Sequence, residues 1–127
     1  IYAVEDKMLL WHGEKVMDDL LRQMGKRILE RRKQLRLTQE ELAECAGITP
    51  QTVSSAELGK KAMRPENIIR ICDALEISTD YLLLGKVTGE DQLLLLERVS
   101  QLKPEQYRHL EAIVNNYIAA LKETEGV

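Results

Sequence analysis

The sequence predicts an all-α protein, and three observations carry that prediction. Helix-forming Leu, Glu, Lys, Arg and Ala dominate, while the 127 residues hold no Phe and a single Trp, so strand-favouring residues are scarce. Apolar residues recur three and four positions apart, as at Leu21, Met24 and Ile28, which is the period of one helix face. Between such stretches stand residues that begin and end helices: Thr38, Thr49, Ser78 and Thr88 ahead of them, and Gly47, Gly59 and Gly85 behind.

The first helix is expected from near Met17. Asp18 and Asp19 suit the positive end of its dipole, and Leu20, Leu21, Met24, Ile28, Leu29 and Leu35 form its stripe. Thr38 with Glu41 makes a Thr-x-x-Glu capping box, which places a second helix over about Gln39 to Ala46 with Leu42, Ala43 and Ala46 inward. Gly47 then ends it, since a left-handed cap needs no Cβ. Thr49 caps a third helix running from Pro50, whose missing N–H costs nothing at the first position, to Leu58. Pro65 opens a fourth, with Ile68, Ile69, Cys72 and Leu75 on its stripe, and Ser78 caps a short fifth over "TDYLLL". Thr88 with Asp91 can cap a sixth helix to about Leu102, and Pro104 starts a last one to about Lys122. In that last helix Tyr107, Leu110, Val114, Tyr117 and Leu121 alternate spacings of three and four, a coiled-coil-like seam.

Composition narrows the function. A mass of 14.5 kDa allows one compact domain with an appendage. With 44% hydrophobic and 31% charged residues, the chain reads as soluble and globular, not disordered. Apolar runs such as "LLLL" at 93–96 are far short of a membrane span, and no basic-then-apolar leader opens the chain, so the expected compartment is the cytoplasm. A net charge of −3 argues against a sequence-blind polyanion binder. Its distribution points elsewhere: Met24 to Val87 carries eleven Lys/Arg against nine Asp/Glu, and both flanks are acidic. The cations gather in "KRILERRKQLR" and "GKKAMR", as on a local anion-facing surface. Cys45 and Cys72 form no CxxC pair, and His12 and His109 stand apart, so neither metal nor cofactor is expected. Cys72 is expected to be a core thiol and Cys45 a surface one. With no Gly-rich phosphate loop, nucleophile elbow or carboxylate pair, no enzyme is expected.

The stretch "LTQEELAECAGITPQTVSSAELGKK" joins two short helices by a tight Gly-containing turn, the description of a helix-turn-helix, whose second helix enters the DNA major groove. From about Met17 to Lys86 the chain resembles the phage-repressor (Cro/C1, XRE) family of helix-turn-helix regulators. "RRKQLRLTQEELAECAGIT", "VSSAELGKK", "RPENIIRICDALEIS" and "TDYLLLG" follow its five-helix, lambda-repressor-like pattern. The resemblance implies that Pro50, Gln51, Thr52 and Ser55 read bases from the start of the third helix. A Gln amide pairs bidentately with adenine, and a Thr methyl meets that of thymine. Pro50 departs from the polar residue many relatives carry there, and the helix offers no Arg for guanine. Gln39 is implied as a phosphate contact, at a helix N-terminus that itself favours an anion. Arg32 and Glu57 match a structural ion pair of the family, while Arg31, Arg36, Lys60, Lys61 and Arg64 complete the expected phosphate ligands.

Three segments are therefore expected. Residues 1–16 read as a translated leader or a remnant outside the functional protein, because the family pattern begins naturally at Met17; residues 17–87 form the DNA-binding domain; residues 88–127 form a C-terminal helical hairpin. One helix-turn-helix reads only a few base pairs, and two-fold dimers bind half-sites about one turn apart. The seam Tyr107, Leu110, Val114, Tyr117 and Leu121 is accordingly expected to hold a homodimer. The expected function is a repressor that binds an inverted-repeat operator in double-stranded DNA. The rival reading keeps the fold but gives the hairpin a protein antagonist or toxin, with DNA binding secondary.

Overall fold

The computed structural model describes residues 14–125, whose regular structure is helical throughout. His12 and most of the expected leader lie outside the described residues. Residues 14–16 belong to the first turn of α1, Glu14–Gln34, which thus starts ahead of the expected Met17. The helix ends on Arg36 at φ 59°, where the Leu37 and Arg36 N–H groups, each at 3.0 Å, turn back onto the Arg32 and Lys33 carbonyls.

The next four helices start and stop where their caps dictate. α2 (Gln39–Ala46) carries both halves of its capping box: Thr38 Oγ1 accepts from Glu41 N–H, and Glu41 Oε1 accepts from Thr38 N–H, each at 3.0 Å. Gly47 closes α2 at φ 69°. α3 (Pro50–Glu57) is capped by Thr49 Oγ1, which accepts from Thr52 N–H at 3.2 Å; Leu58 is its cap and not its last residue. α4 spans Pro65–Leu75, and α5 (Thr79–Leu84) is capped by Ser78.

These five helices enclose one core, in which Ile28, Leu42, Val53, Ile71, Leu75 and Leu82 are fully buried. Each such side chain contributes about 1.5–3 kcal/mol by leaving water. Met24, Ala43, Ala46, Ala56 and Cys72 complete the core. The stripe of α4 differs from expectation, since Ile69 is 55% exposed and Ile71 lies inside. Ile68, Ile71, Cys72 and Leu75 share one face at helical spacing, and Ile69 is turned about 100° away from Ile68. α1 and α3 cross closely at Gly25, where a Cβ would meet the Ala56 and Glu57 carbonyl oxygens at 2.5 Å.

The chain divides into two compact units between Asp91 and Gln92. α6 (Gly89–Ser100) begins in the first and continues into the second, which α7 (Pro104–Glu125) completes after a turn. Away from that turn α6 and α7 make little contact with each other. Most of their apolar residues are exposed, among them Leu93, Leu96, Ile113 and Ile118. Among the described residues no helix is long and apolar enough to cross a membrane.

Candidate nucleic-acid interface

The position of α3 follows from the close crossing at Gly25 and from one nearly dry ion pair. Arg32 Nε donates to Glu57 Oε2 at 2.6 Å and Nη2 to Oε1 at 3.0 Å, with side chains only 12% and 4% exposed. The remaining terminal nitrogen, Nη1, donates to the Leu37 carbonyl at 2.9 Å. The hydrogen bonds to Glu57, working against burial, push the Arg32 pKa above its ordinary value, so the guanidinium stays charged. Breaking a pair this buried by removing one partner costs about 3–5 kcal/mol, because the other charge is stranded. Gln39 is the third member: its Nε2 donates to Glu57 Oε1 at 3.0 Å, which ties the start of α2 to the end of α3.

A shallow groove of about 280 Å³ runs between α3 and the segment that follows it. It is lined by Gln51, Thr52, Ser55, Lys61, Arg64 and Asn67, among others. The two charged residues of its lining are both cations. Gln51 is exposed and Ser55 half-buried, and neither side chain has a hydrogen-bond partner among the described residues. Thr52 Oγ1 lies 2.8 Å from Thr49 Oγ1, so its hydroxyl is already engaged in the cap. Pro50 is exposed at the first position of α3.

Other residues singled out in the sequence lie elsewhere. Lys60 is exposed beside a neighbouring cleft with Lys15, Asp18 and Arg22. Arg36 is exposed at the end of α1. Arg31 stands at the far end of α4 from Arg64, its Nε donating to the Leu75 carbonyl at 2.9 Å and its Nη1 to Gln34 Oε1 at 3.2 Å. Asn67 was missed by sequence reasoning. Its available signal was its place three residues after Arg64, on the same face of α4.

On α7, Tyr107, Val114, Tyr117 and Leu121 are exposed, Tyr117 to 67%, and Leu110 is half-buried. Both cysteines are unpaired. Cys72 is a core thiol whose pKa burial pushes up to about 11, with Asp73, Asp91 and Glu90 adding to the effect, whereas Cys45 is exposed. No group of three His, Cys, Asp or Glu residues able to hold a metal occurs among the described residues.

Two short helices around a left-handed Gly47, the second locked by Arg32–Glu57 and opening onto a cationic groove of amide and hydroxyl groups, define a helix-turn-helix nucleic-acid-binding module. The helix-turn-helix family model matches residues 28–82. The cryptic phage CTXphi transcriptional repressor RstR of Vibrio cholerae serotype O1 is 31% identical over 94 residues, covering 72% of this chain and 84% of that one. Repressor protein C2 of Salmonella phage P22 is 35% identical over 65 residues, covering 51% of this chain and 30% of that one. A crystal structure of the P22 c2 repressor in complex with a synthetic operator is 36% identical, with a TM-score of 0.48, and the match covers 50% of this chain and 96% of that one. The chain belongs to the phage-repressor (Cro/C1, XRE) family of helix-turn-helix transcriptional regulators, which are DNA-binding repressors and not enzymes.

Proposed function

We propose that this regulator is a cytoplasmic repressor which binds an inverted-repeat operator as a homodimer. Residues 17–87 supply one DNA-binding unit, and residues 88–127 join two copies. The observation that carries the DNA contact is the groove itself, where Gln51, Thr52 and Ser55 line the same open surface as Lys61 and Arg64. α3 then presents Pro50, Gln51, Thr52 and Ser55 to base edges. Lys60, Lys61, Arg64 and Arg36 neutralise phosphates on either side. Gln39 is engaged with Glu57, so its part in phosphate binding falls to the first-turn amide of α2, in the field of the helix N-terminus. Arg31, held against the Leu75 carbonyl, adds its charge from a distance.

The association of copies is supported by α7, whose Tyr107, Val114, Tyr117 and Leu121 face water. The same exposure also suits the second reading, in which the hairpin holds a protein antagonist. Selection of bound duplexes from a random library at about 0.15 M salt, where diffuse attraction is screened, tests both. Enrichment of an inverted repeat with half-sites about one turn apart is the expected result. No enrichment by folded protein overturns it and leaves the partner-binding module.

A further inference from the structure

The cations of the helix-turn-helix do not end at the groove beside α3. A second cleft, of about 480 Å³, lies between the start of α1 and the turn that follows α3, lined by Lys15, Asp18, Arg22, Leu58, Gly59 and Lys60. Three of the four charged residues in that lining are cations. The two elements meet at the backbone: Gly59 stands at φ 67°, and a Cβ there would meet the N and Cα of Arg22 at 3.0 Å. Lys60 therefore follows directly on the point where the turn touches α1. Lys61, the next residue, lines the groove of α3 instead. Groove and cleft are thus neighbours across two consecutive lysines, and Arg64 and Lys61 on one side lead to Lys60, Arg22 and Lys15 on the other.

We propose that this cleft is a second contact with the DNA backbone, in which Arg22 and Lys15 of α1 neutralise phosphates next to those held by Lys60 and Lys61. The inference rests on the reading given above, in which α3 enters the major groove; it needs one half-site and no second copy. Each DNA strand carries a phosphate about every 3.4 Å along the helix axis, so a backbone held at Lys61 continues past the protein in steps shorter than a lysine side chain, and the cleft offers the next cations in line. Lys15 and Lys60 are exposed. Arg22 is paired with Asp19 on its own helix, but both side chains are largely exposed, and a pair of that kind adds little to stability, so a phosphate can take the place of the carboxylate. Asp18 is the opposing charge, a carboxylate in the lining that repels the strand. Backbone contacts carry no sequence information, so the cleft adds affinity and leaves base preference to α3.

The test uses the full chain and a duplex carrying the half-site enriched from the random library, with affinity measured between about 0.05 and 0.2 M salt. Arg22→Ala and Lys15→Ala should each reduce the slope of log affinity against log salt by about one, and together by about two, while the ranking of single-base variants of the site stays as it was. Asp18→Asn should tighten binding on the order of threefold, because it removes the repelling charge. Lys26→Ala is the control for a charge lost from α1 outside the cleft: Lys26 is exposed near Glu30 and lines a different hollow with Tyr81 and Gly85, so its slope should equal that of the original chain. All four side chains are exposed, and none of these variants removes a core contact. Slopes for Arg22→Ala and Lys15→Ala no lower than that of Lys26→Ala overturn the cleft contact and leave the proposed function standing, as does a base preference that changes with Arg22→Ala. An original chain that enriches no duplex overturns the proposed function and this inference with it.

Discussion

Arg36 ends α1 at φ 59°, a conformation that costs an L-residue about 1 kcal/mol and that glycine adopts without strain. A glycine there would serve the fold as well, so the arginine calls for a reason in its charge. Arg36→Gly is expected to hold or raise the melting temperature by up to about 4 °C. The same change should weaken DNA binding and lower the slope of log affinity against log salt by about one, as one phosphate contact disappears. A lower melting temperature with an unchanged slope would show that Arg36 serves the turn alone. Gln51 makes the opposite kind of contribution, being exposed in the groove with no side-chain partner to lose among the described residues. Gln51→Ala should leave stability untouched and cost about 1–3 kcal/mol on the cognate site, with the preference relaxed at a single base pair. Binding to every single-base variant of the selected site reads that out.

At the scale of helices, what the sequence made legible was what is written within four consecutive residues. Thr38 with Glu41, Thr49 with Pro50, and Ser78 each fix a helix start, and α2, α3 and α5 begin where those residues say. The groove residues Gln51, Thr52, Ser55, Lys61 and Arg64 were legible through family resemblance, because they follow the helix-turn-helix register. Relations that cross the core were not legible: the Gln39–Glu57 bond, the Ser78–Asp91 bonds, and Gly25, which looks in sequence like a weak point in a helix. In an exposed helix, glycine to alanine gains about 1 kcal/mol. Gly25→Ala should do the reverse, destabilising by about 1–3 kcal/mol, because its Cβ must displace the Ala56 and Glu57 carbonyls. Urea unfolding gives the sign directly, and a stabilised variant would mean that α1 and α3 separate at no cost. The Ser78–Asp91 contact has its own signature in acid. Burial acts to raise the Asp91 pKa, but the hydrogen bonds from Ser78 and Thr88 outweigh it and hold the carboxyl below its ordinary value. A folded pKa below the unfolded one stabilises at pH values above about 4 and is lost as the pH falls through the folded value. The stability difference between the original chain and Asp91→Asn should therefore be constant near neutrality and shrink below about pH 4.

For the molecule as a whole, the question is what the exposed apolar residues of α6 and α7 are for. α7 has 22 residues, about 33 Å of helix, and none of its side chains belongs to the buried core. Helices in water draw most of their stability from packing an apolar face, and here that face carries Tyr107, Val114, Tyr117 and Leu121 in the open. A second copy offers the same seam, and two-fold pairing would bury both at once. Tyr117, near the middle of the seam and 67% exposed, is the place to interrupt it, because a carboxylate there meets its own like across a two-fold axis or a dry apolar surface. Tyr117→Asp should therefore sediment as a monomer and lose helical circular dichroism, while the core around Ile28 and Leu42 melts as before. It should still bind a single half-site, but its advantage on an inverted repeat should fall by about 100-fold or more, since linkage supplies that advantage. If the variant remains dimeric, the contact between copies lies off this seam. If it is monomeric while the original chain is monomeric too, α7 awaits a different protein, and the repressor would be controlled through that partner.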